Sequence, residues 1–159
     1  MAENELKYRI AAESDAEALV PLINRAFAIE LKFFSTERID LAETLEHLQK
    51  GVFLLAEDDG KLAGCVFVDV RGENAYFGLL AVDPDQQGRG IGRKLIEDAE
   101  EFGRGARRPA MEIRVLDSRA ELPPLYEKLG YTVTRHEQVP QKPSALQPYY
   151  FIVMEKRLD

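Results

Sequence analysis

Tryptophan is absent from the 159 residues, cysteine occurs once and histidine twice. A lone thiol, Cys65, cannot close an internal disulfide, so the fold must rest on packing and hydrogen bonds, and an unpaired cysteine fits the reducing cytoplasm. His47 and His136 are far apart and lack ligand spacing, so no metal is expected. Long apolar runs are missing too. The longest span about eight residues, well short of the ~20 that cross a bilayer, which argues against a membrane role. The first five residues, Met1 to Glu5, are polar and acidic, unlike a secretory leader. Positive charge is in deficit: 21 Lys and Arg stand against 28 Asp and Glu, a net charge of −7, which argues against general nucleic-acid binding. What is present is an apolar fraction of 45%, enough for a core, in a length that suits one domain.

The periodicities alternate between strand and helix. Lys7–Ala11 reads as a first strand. Ser14-Asp15-Ala16-Glu17 is a capping box opening a helix whose apolar stripe is Ala18, Leu19, Leu22, Ile23, Ala26 and Phe27, with Pro21 inside it. Asp40 opens a second helix along Leu41, Leu45 and Leu48, which Gly51 is placed to end. Three strands follow as a meander: Val52–Glu57, Lys61–Val70 and Ala75–Val82, the first two joined by Asp58-Asp59-Gly60. A helix from about Gly90 shows Ile91, Leu95, Ile96, Ala99 and Phe102 on one face and stops at Gly103 and Gly105. Met111–Leu116 is the next strand, parallel to the one before the helix. A further helix is capped by Ser118 with Glu121, or starts later with Pro123 and Pro124 in its first turn. Tyr131–His136 and Tyr149–Lys156 are the last strands, around a proline-rich loop. The pattern predicts an α/β protein with a mixed sheet of about seven strands and helices on both faces.

Gln87-Gly88-Arg89-Gly90-Ile91-Gly92 stands between a strand and a helix. Glycines here let backbone approach a ligand closely, and the following helix turns unpaired N–H groups and its positive dipole end toward the same place. That is an anion site, most naturally for phosphate. Arg89, Arg93 and Lys94 add positive charge. A Walker loop is excluded, because Arg93-Lys94-Leu95 stands where Gly-Lys-Ser/Thr is required. A dinucleotide fingerprint is excluded because Arg93 replaces its third glycine.

Gln-x-x-Gly-x-Gly at 87–92 closely resembles the central motif of the Gcn5-related N-acetyltransferase (GNAT) superfamily. Leu125-Tyr126-Glu127-Lys128-Leu129-Gly130-Tyr131 resembles that family's second signature, and the element order agrees over about residues 5–158. The resemblance implies a single N-acetyltransferase domain that moves an acetyl group from acetyl-CoA directly to an amine acceptor, a small molecule or a peptide amine. It implies that Gln87, Gly88, Arg89, Gly90, Ile91, Gly92 and Arg93 hold the cofactor's pyrophosphate. The resemblance further implies that the strand Gly78-Leu79-Leu80-Ala81-Val82 bulges and binds the pantetheine arm through its backbone, with the N–H near Leu80 on the acetyl carbonyl and Val82 holding the arm.

Read as residues alone, Tyr126 packs with Leu125 and Leu129. The resemblance makes it the general acid, protonated at neutral pH because a phenol titrates near ~10. Arg119 and Leu122 depart from the family's usual Asn and Ala. Glu30, Asp69, Glu73 and Glu112 are the acids near the expected cleft, and none is singled out as a base; His47 reads as a packing or solvent-facing residue. Residues 29–39 and 137–148 are where the acceptor is expected, with Phe33, Phe34 and Tyr149 as an apolar wall. A rival reading is an acyl-CoA sensor without turnover, and a homodimer through the last strands is compatible with the pattern.

Overall fold

The computed structural model describes residues 5–159; the acidic start, residues 1–4, lies outside them. The strands are β1 (Leu6–Ile10), β2 (Val52–Asp58), β3 (Lys61–Arg71), β4 (Asn74–Val82), β5 (Ala110–Leu116), β6 (Thr132–Glu137) and β7 (Phe151–Arg157). The helices are α1 (Ala16–Ala26), α2 (Leu41–Lys50), α3 (Ile91–Gly105) and α4 (Leu122–Glu127). The strands form one seven-stranded sheet in the order β1-β2-β3-β4-β5-β7-β6. Every neighbouring pair is antiparallel except β4 and β5, which run parallel. The expected mixed sheet is therefore found, at the expected place in the chain.

Alternation along β3 sorts the core into two layers. Cys65 and Phe67 point to one face and pack under Leu19, Leu22 and Ile23 of α1. Val66 and Val68 point to the other and meet Ile91, Leu95, Ile96 and Ala99 of α3, together with Tyr126 of α4. Helices thus cover both faces. The β2–β3 turn has Asp59 at φ 52° and Gly60 at φ 80°, the left-handed pair that a two-residue hairpin with the right twist requires.

Local glycine and proline positions follow the expected helix ends with one exception, Gly103. Gly51 does follow α2, but at φ −159° rather than left-handed; a Cβ there would lie 2.3 Å from the Val68 carbonyl oxygen, so the need is close approach to β3. Gly103 does not end α3. It is buried inside the helix, where a Cβ would lie 2.7 Å from Leu158. Of the two expected starts for α4 the later is found: it begins at Leu122 with its prolines in the first turn, where their missing N–H groups are not needed.

Two features of β4 position the site. Cys65 pairs with Ala81 and Phe67 with Gly78, so β4 carries one residue more than β3 over this stretch. Leu79 absorbs it at φ 50°, a conformation that costs a bulky side chain of order 1 kcal/mol or more. The bulge reverses the alternation: Phe77 faces α3, whereas beyond it Leu80 and Val82 do, and Leu79 and Ala81 face α1. β4 also pairs with β5 only at Ala75–Met111 and Tyr76–Glu112. Beyond those residues the two strands part.

The N-terminal end of α3 is seated through Gly64, where a Cβ would lie 2.8 Å from Ile91 Cγ2 and 3.1 Å from the Ala81 carbonyl oxygen. Gly64→Val is expected to lower stability by about 1–3 kcal/mol through overpacking, read by urea denaturation. An unchanged midpoint would show that α3 is not seated through this contact.

Candidate functional site

The gap between β4 and β5 opens into a cleft of about 540 Å³. Gly78, Leu79, Leu80 and Val82 line one wall, Val115 and Leu116 the other, and Tyr126, Leu122 and Leu125 come from α4. Gln87 lies at one end; Phe34, Lys142 and Tyr149 also line the cleft. Parallel strands that separate leave backbone N–H and C=O groups without sheet partners, and such groups accept an extended ligand as an added strand.

At the Gln87 end, Gly88 has φ 84° and Gly90 φ 75°, the left-handed region that glycine enters without strain. Nothing stands within 4 Å of a Cβ at either position. No side chain caps α3 and no acidic residue lies in its first turn, so the helix presents its dipole and first N–H groups to open space. The loop is braced from behind. Asp83 accepts two hydrogen bonds from Arg25 of α1, at 3.1 and 3.2 Å. Arg89 donates to Asp58 at 2.8 Å and to Gln86 at 2.6 Å, tying the loop to the β2–β3 hairpin. Arg93 is exposed, with Glu97 at 3.9 Å. Lys94 pairs with Asp98 at 2.7 Å. The side chains of Ile91 and Ala81 are in the core, so at those positions only backbone can meet a ligand; Leu80 and Val82 line the cleft, and Gly92 has Val82 Cγ2 3.5 Å from a built Cβ.

Tyr126 is 9% exposed, its ring set edge-on to Tyr131 at 6.0 Å and tilted against Phe77 at 6.1 Å. Its hydroxyl has no hydrogen-bond partner among the described residues and its side chain lines the cleft. Burial pushes the phenol up to about 12, partly opposed by the Arg119 charge. Tyr131 is different in kind. Its hydroxyl donates to Glu100 at 2.8 Å, and Lys156 Nζ donates to the same carboxylate at 3.1 Å, so it belongs to a structural network under α3.

Of the four acids singled out in the sequence, only Glu30 lines the cleft, and it pairs with Arg119 at 2.9 Å. Asp69 and Glu112 are buried against arginines, and Glu73 is in the exposed β3–β4 turn. Phe34 and Tyr149 line the cleft with their rings edge to face at 5.2 Å; Phe33 does not line it. Cys65 is fully buried and its thiol is pushed up to about 12 by that burial, as expected of a structural thiol.

Two features escaped the sequence. His47 reads as a packing residue on α2 but lines the cleft. Its Nδ1 lies 2.7 Å from the Glu43 carbonyl oxygen. A carbonyl only accepts, so Nδ1 carries a proton, which in the neutral ring leaves Nε2 as the acceptor. The ring stands edge-on to Phe67 at 4.7 Å, which fixes its plane. Tyr76 was also missed: Arg71 stacks 3.5 Å above its ring, and Gly78 makes room for its hydroxyl, which a Cβ would meet at 2.3 Å.

Residues 49–133 match the family described as the acetyltransferase (GNAT) domain. An acetyltransferase of Pectobacterium atrosepticum is 30% identical over 128 residues, 79% of this chain and 87% of that protein. The S-(2-succino)cysteine N-acetyltransferase of Bacillus subtilis is 28% identical over 137 residues, 79% of this chain and 83% of that protein. A Salmonella typhimurium chain solved with acetyl-CoA as its cofactor superimposes with a TM-score of 0.73 at 24% identity, covering 98% of this chain and 95% of that one.

The Tyr126 proton carries a stability signature. The phenol titrates near 10 when unfolded and near 12 when folded, so the folded state binds more protons in between and stability falls as pH rises through that window. Tyr126→Phe is expected to flatten that part of the slope in denaturant titrations at about pH 9 and about pH 11. An unchanged slope would mean the phenol is not shielded.

Proposed function

The chain belongs to the GNAT acetyltransferase family, and within it we propose that residues 5–158 form one N-acetyltransferase domain whose cleft binds acetyl-CoA and an amine acceptor. The observation that carries this is the junction of two features: an uncapped helix N-terminus behind two left-handed glycines, opening onto strands that part at a bulge. The residues present fit the cofactor. Open space at Gly88 and Gly90 suits a pyrophosphate on the N–H groups of Gln87–Gly92, with Arg93 near enough to add charge. Arg89 serves chiefly as a brace through Asp58. The unpaired edge at Leu80, Ala81 and Val82 suits the pantetheine arm.

Acetyl-CoA supplies the activated acetyl group as a thioester. An N–H of the bulged strand near Leu80 polarises the acetyl carbonyl at no reorganisation cost. His47 Nε2 accepts the proton that the amine loses as its nitrogen bonds to the acetyl carbon. Tyr126, held un-ionised by burial, gives its phenolic proton to the sulfur as the carbon–sulfur bond breaks, and is reprotonated from solvent before the next turnover. The place of Tyr126 in the cleft supports turnover over a sensor role. No helix among the described residues is long and apolar enough to cross a membrane. The unpaired Cys65 and net charge of −7 support a cytoplasmic location, and the exposed edge strand β6 offers a surface for pairing two copies.

Thermal unfolding with and without acetyl-CoA, followed by thiol release with amines, tests the reading. Ligand at about 100 times its Kd should stabilise by about 2.7 kcal/mol. Gly90→Glu should erase that shift through bulk and charge while the protein stays folded. Tyr126→Phe should keep the shift and slow transfer about 100-fold or more. His47→Gln should keep the shift and slow transfer. A Gly90→Glu protein that still shifts like wild type would overturn the cradle.

A further inference from the structure

The cleft shares Phe27, Glu30, Phe34, Arg38 and Lys142 with a second cavity of about 510 Å³. None of residues 80–93 lines that second cavity, so it lies away from the cradle. Five cationic side chains line the cleft: Arg38, Arg71, Arg114, Arg119 and Lys142. Three are neutralised, Arg71 by Asp69, Arg114 by Glu137 and Arg119 by Glu30. Arg38 and Lys142 have no carboxylate within ion-pair distance among the described residues. Arg38 rests on the Phe27 ring at 5.6 Å. Desolvation and then the charge of Arg38 lower the Lys142 ammonium from its ordinary value, only partly offset by Glu43 and Glu30.

The two cations are held together by backbone, not chance. Their segments are zipped by the Phe34–Ala145 bridge, with Ser35 N–H donating to the Ser144 carbonyl at 2.8 Å and Leu146 N–H to the Phe33 carbonyl at 2.9 Å. Lys142 N–H donates to the Tyr149 hydroxyl at 3.1 Å. Arg38 and Lys142 line the same two cavities without an ion-pair partner among the described residues, although Glu30, Glu37 and Glu43 line the second cavity too, and two such like charges are relieved by an anionic ligand. A guanidinium fork beside an ammonium matches a carboxylate.

We propose that Arg38 and Lys142 form a carboxylate subsite for the acceptor, so that the amine acetylated here belongs to an amino acid or a similar small amino carboxylate. The inference rests on the acetyl-transfer reading.

The test measures thiol release by the full chain with acetyl-CoA and free amino acids, each beside its carboxamide, with phosphoethanolamine and spermidine alongside. Acids should exceed their amides at least about tenfold in kcat/KM, the scale of one charge-assisted contact. Arg38→Met and Lys142→Met should each raise KM for the acids about tenfold and erase the preference for acid over amide. Both should keep the thermal shift with acetyl-CoA. Amides as good as acids, an unmoved KM, phosphoethanolamine or spermidine outranking every acid, or no transfer to any acid by protein that acetyl-CoA stabilises would each overturn the subsite. Absence of stabilisation by acetyl-CoA would sink the transferase reading itself, and the subsite with it.

Discussion

The separation of β4 from β5 is the constraint on which the rest of the structure depends. Parallel strands otherwise hydrogen-bond along their length, and a sheet that closed here would leave nowhere for a ligand to pair. Two residue pairs, Ala75–Met111 and Tyr76–Glu112, hold the strands at one end. The extra residue at Leu79 then turns β4 aside at the cost of a left-handed backbone. The fold stabilises this choice from both faces. Leu79 and Ala81 are buried under α1, and Leu80 and Val82 are packed toward α3. The Cys65 thiol donates to the Leu79 carbonyl at 3.5 Å, giving the displaced strand a partner inside the core. The strain is local, and the packing that holds it is spread over two layers.

Electrostatics follow the same division between scaffold and site. Most arginines near the cleft are committed: Arg25 and Arg89 brace the glycine loop through Asp83 and Asp58, and Arg119 joins Glu30 to Glu121. A carboxylate partner fixes a guanidinium and removes it from competition for ligand. What is left for an anion is therefore backbone at the α3 terminus, where uncharged N–H groups work through alignment rather than net charge, with exposed Arg93 beside it, and the Arg38–Lys142 pair that lines the cleft.

Much of this was readable without coordinates. The glycine spacing at 88, 90 and 92 predicted a close backbone approach, and two of those residues are left-handed with open space around them. The stripe Ile91, Leu95, Ile96 and Ala99 is the buried face of α3, and Asp40 caps α2 by accepting from the Glu43 N–H at 2.8 Å. Tyr126 was found through a seven-residue segment, not through periodicity. Gly51 does end α2, with closeness to β3 as a second reason for glycine there, whereas Gly103 lies inside α3 and tertiary closeness to Leu158 is its reason. Nothing beside His47 in the chain announces a cleft, because the wall residues Gly78, Leu79, Leu80, Val82, Val115 and Leu116 come more than thirty residues later.

Local chemistry, then, belongs to the sequence: which segments alternate, where helices start, where backbone is free of Cβ, and so the family. Those properties depend on neighbours within a turn or a strand. Which side chains share a cleft is a property of the sheet order β4-β5-β7 and of the bridge between Phe34 and Ala145, contacts across 35 or more residues. Only the tertiary structure decides that Arg119 is spent on Glu30, that Arg38 and Lys142 have no ion-pair partner among the described residues, and that His47 lines the cleft. Each of those is a question of which charge or carbonyl happens to stand within a few ångströms, and no local pattern records it.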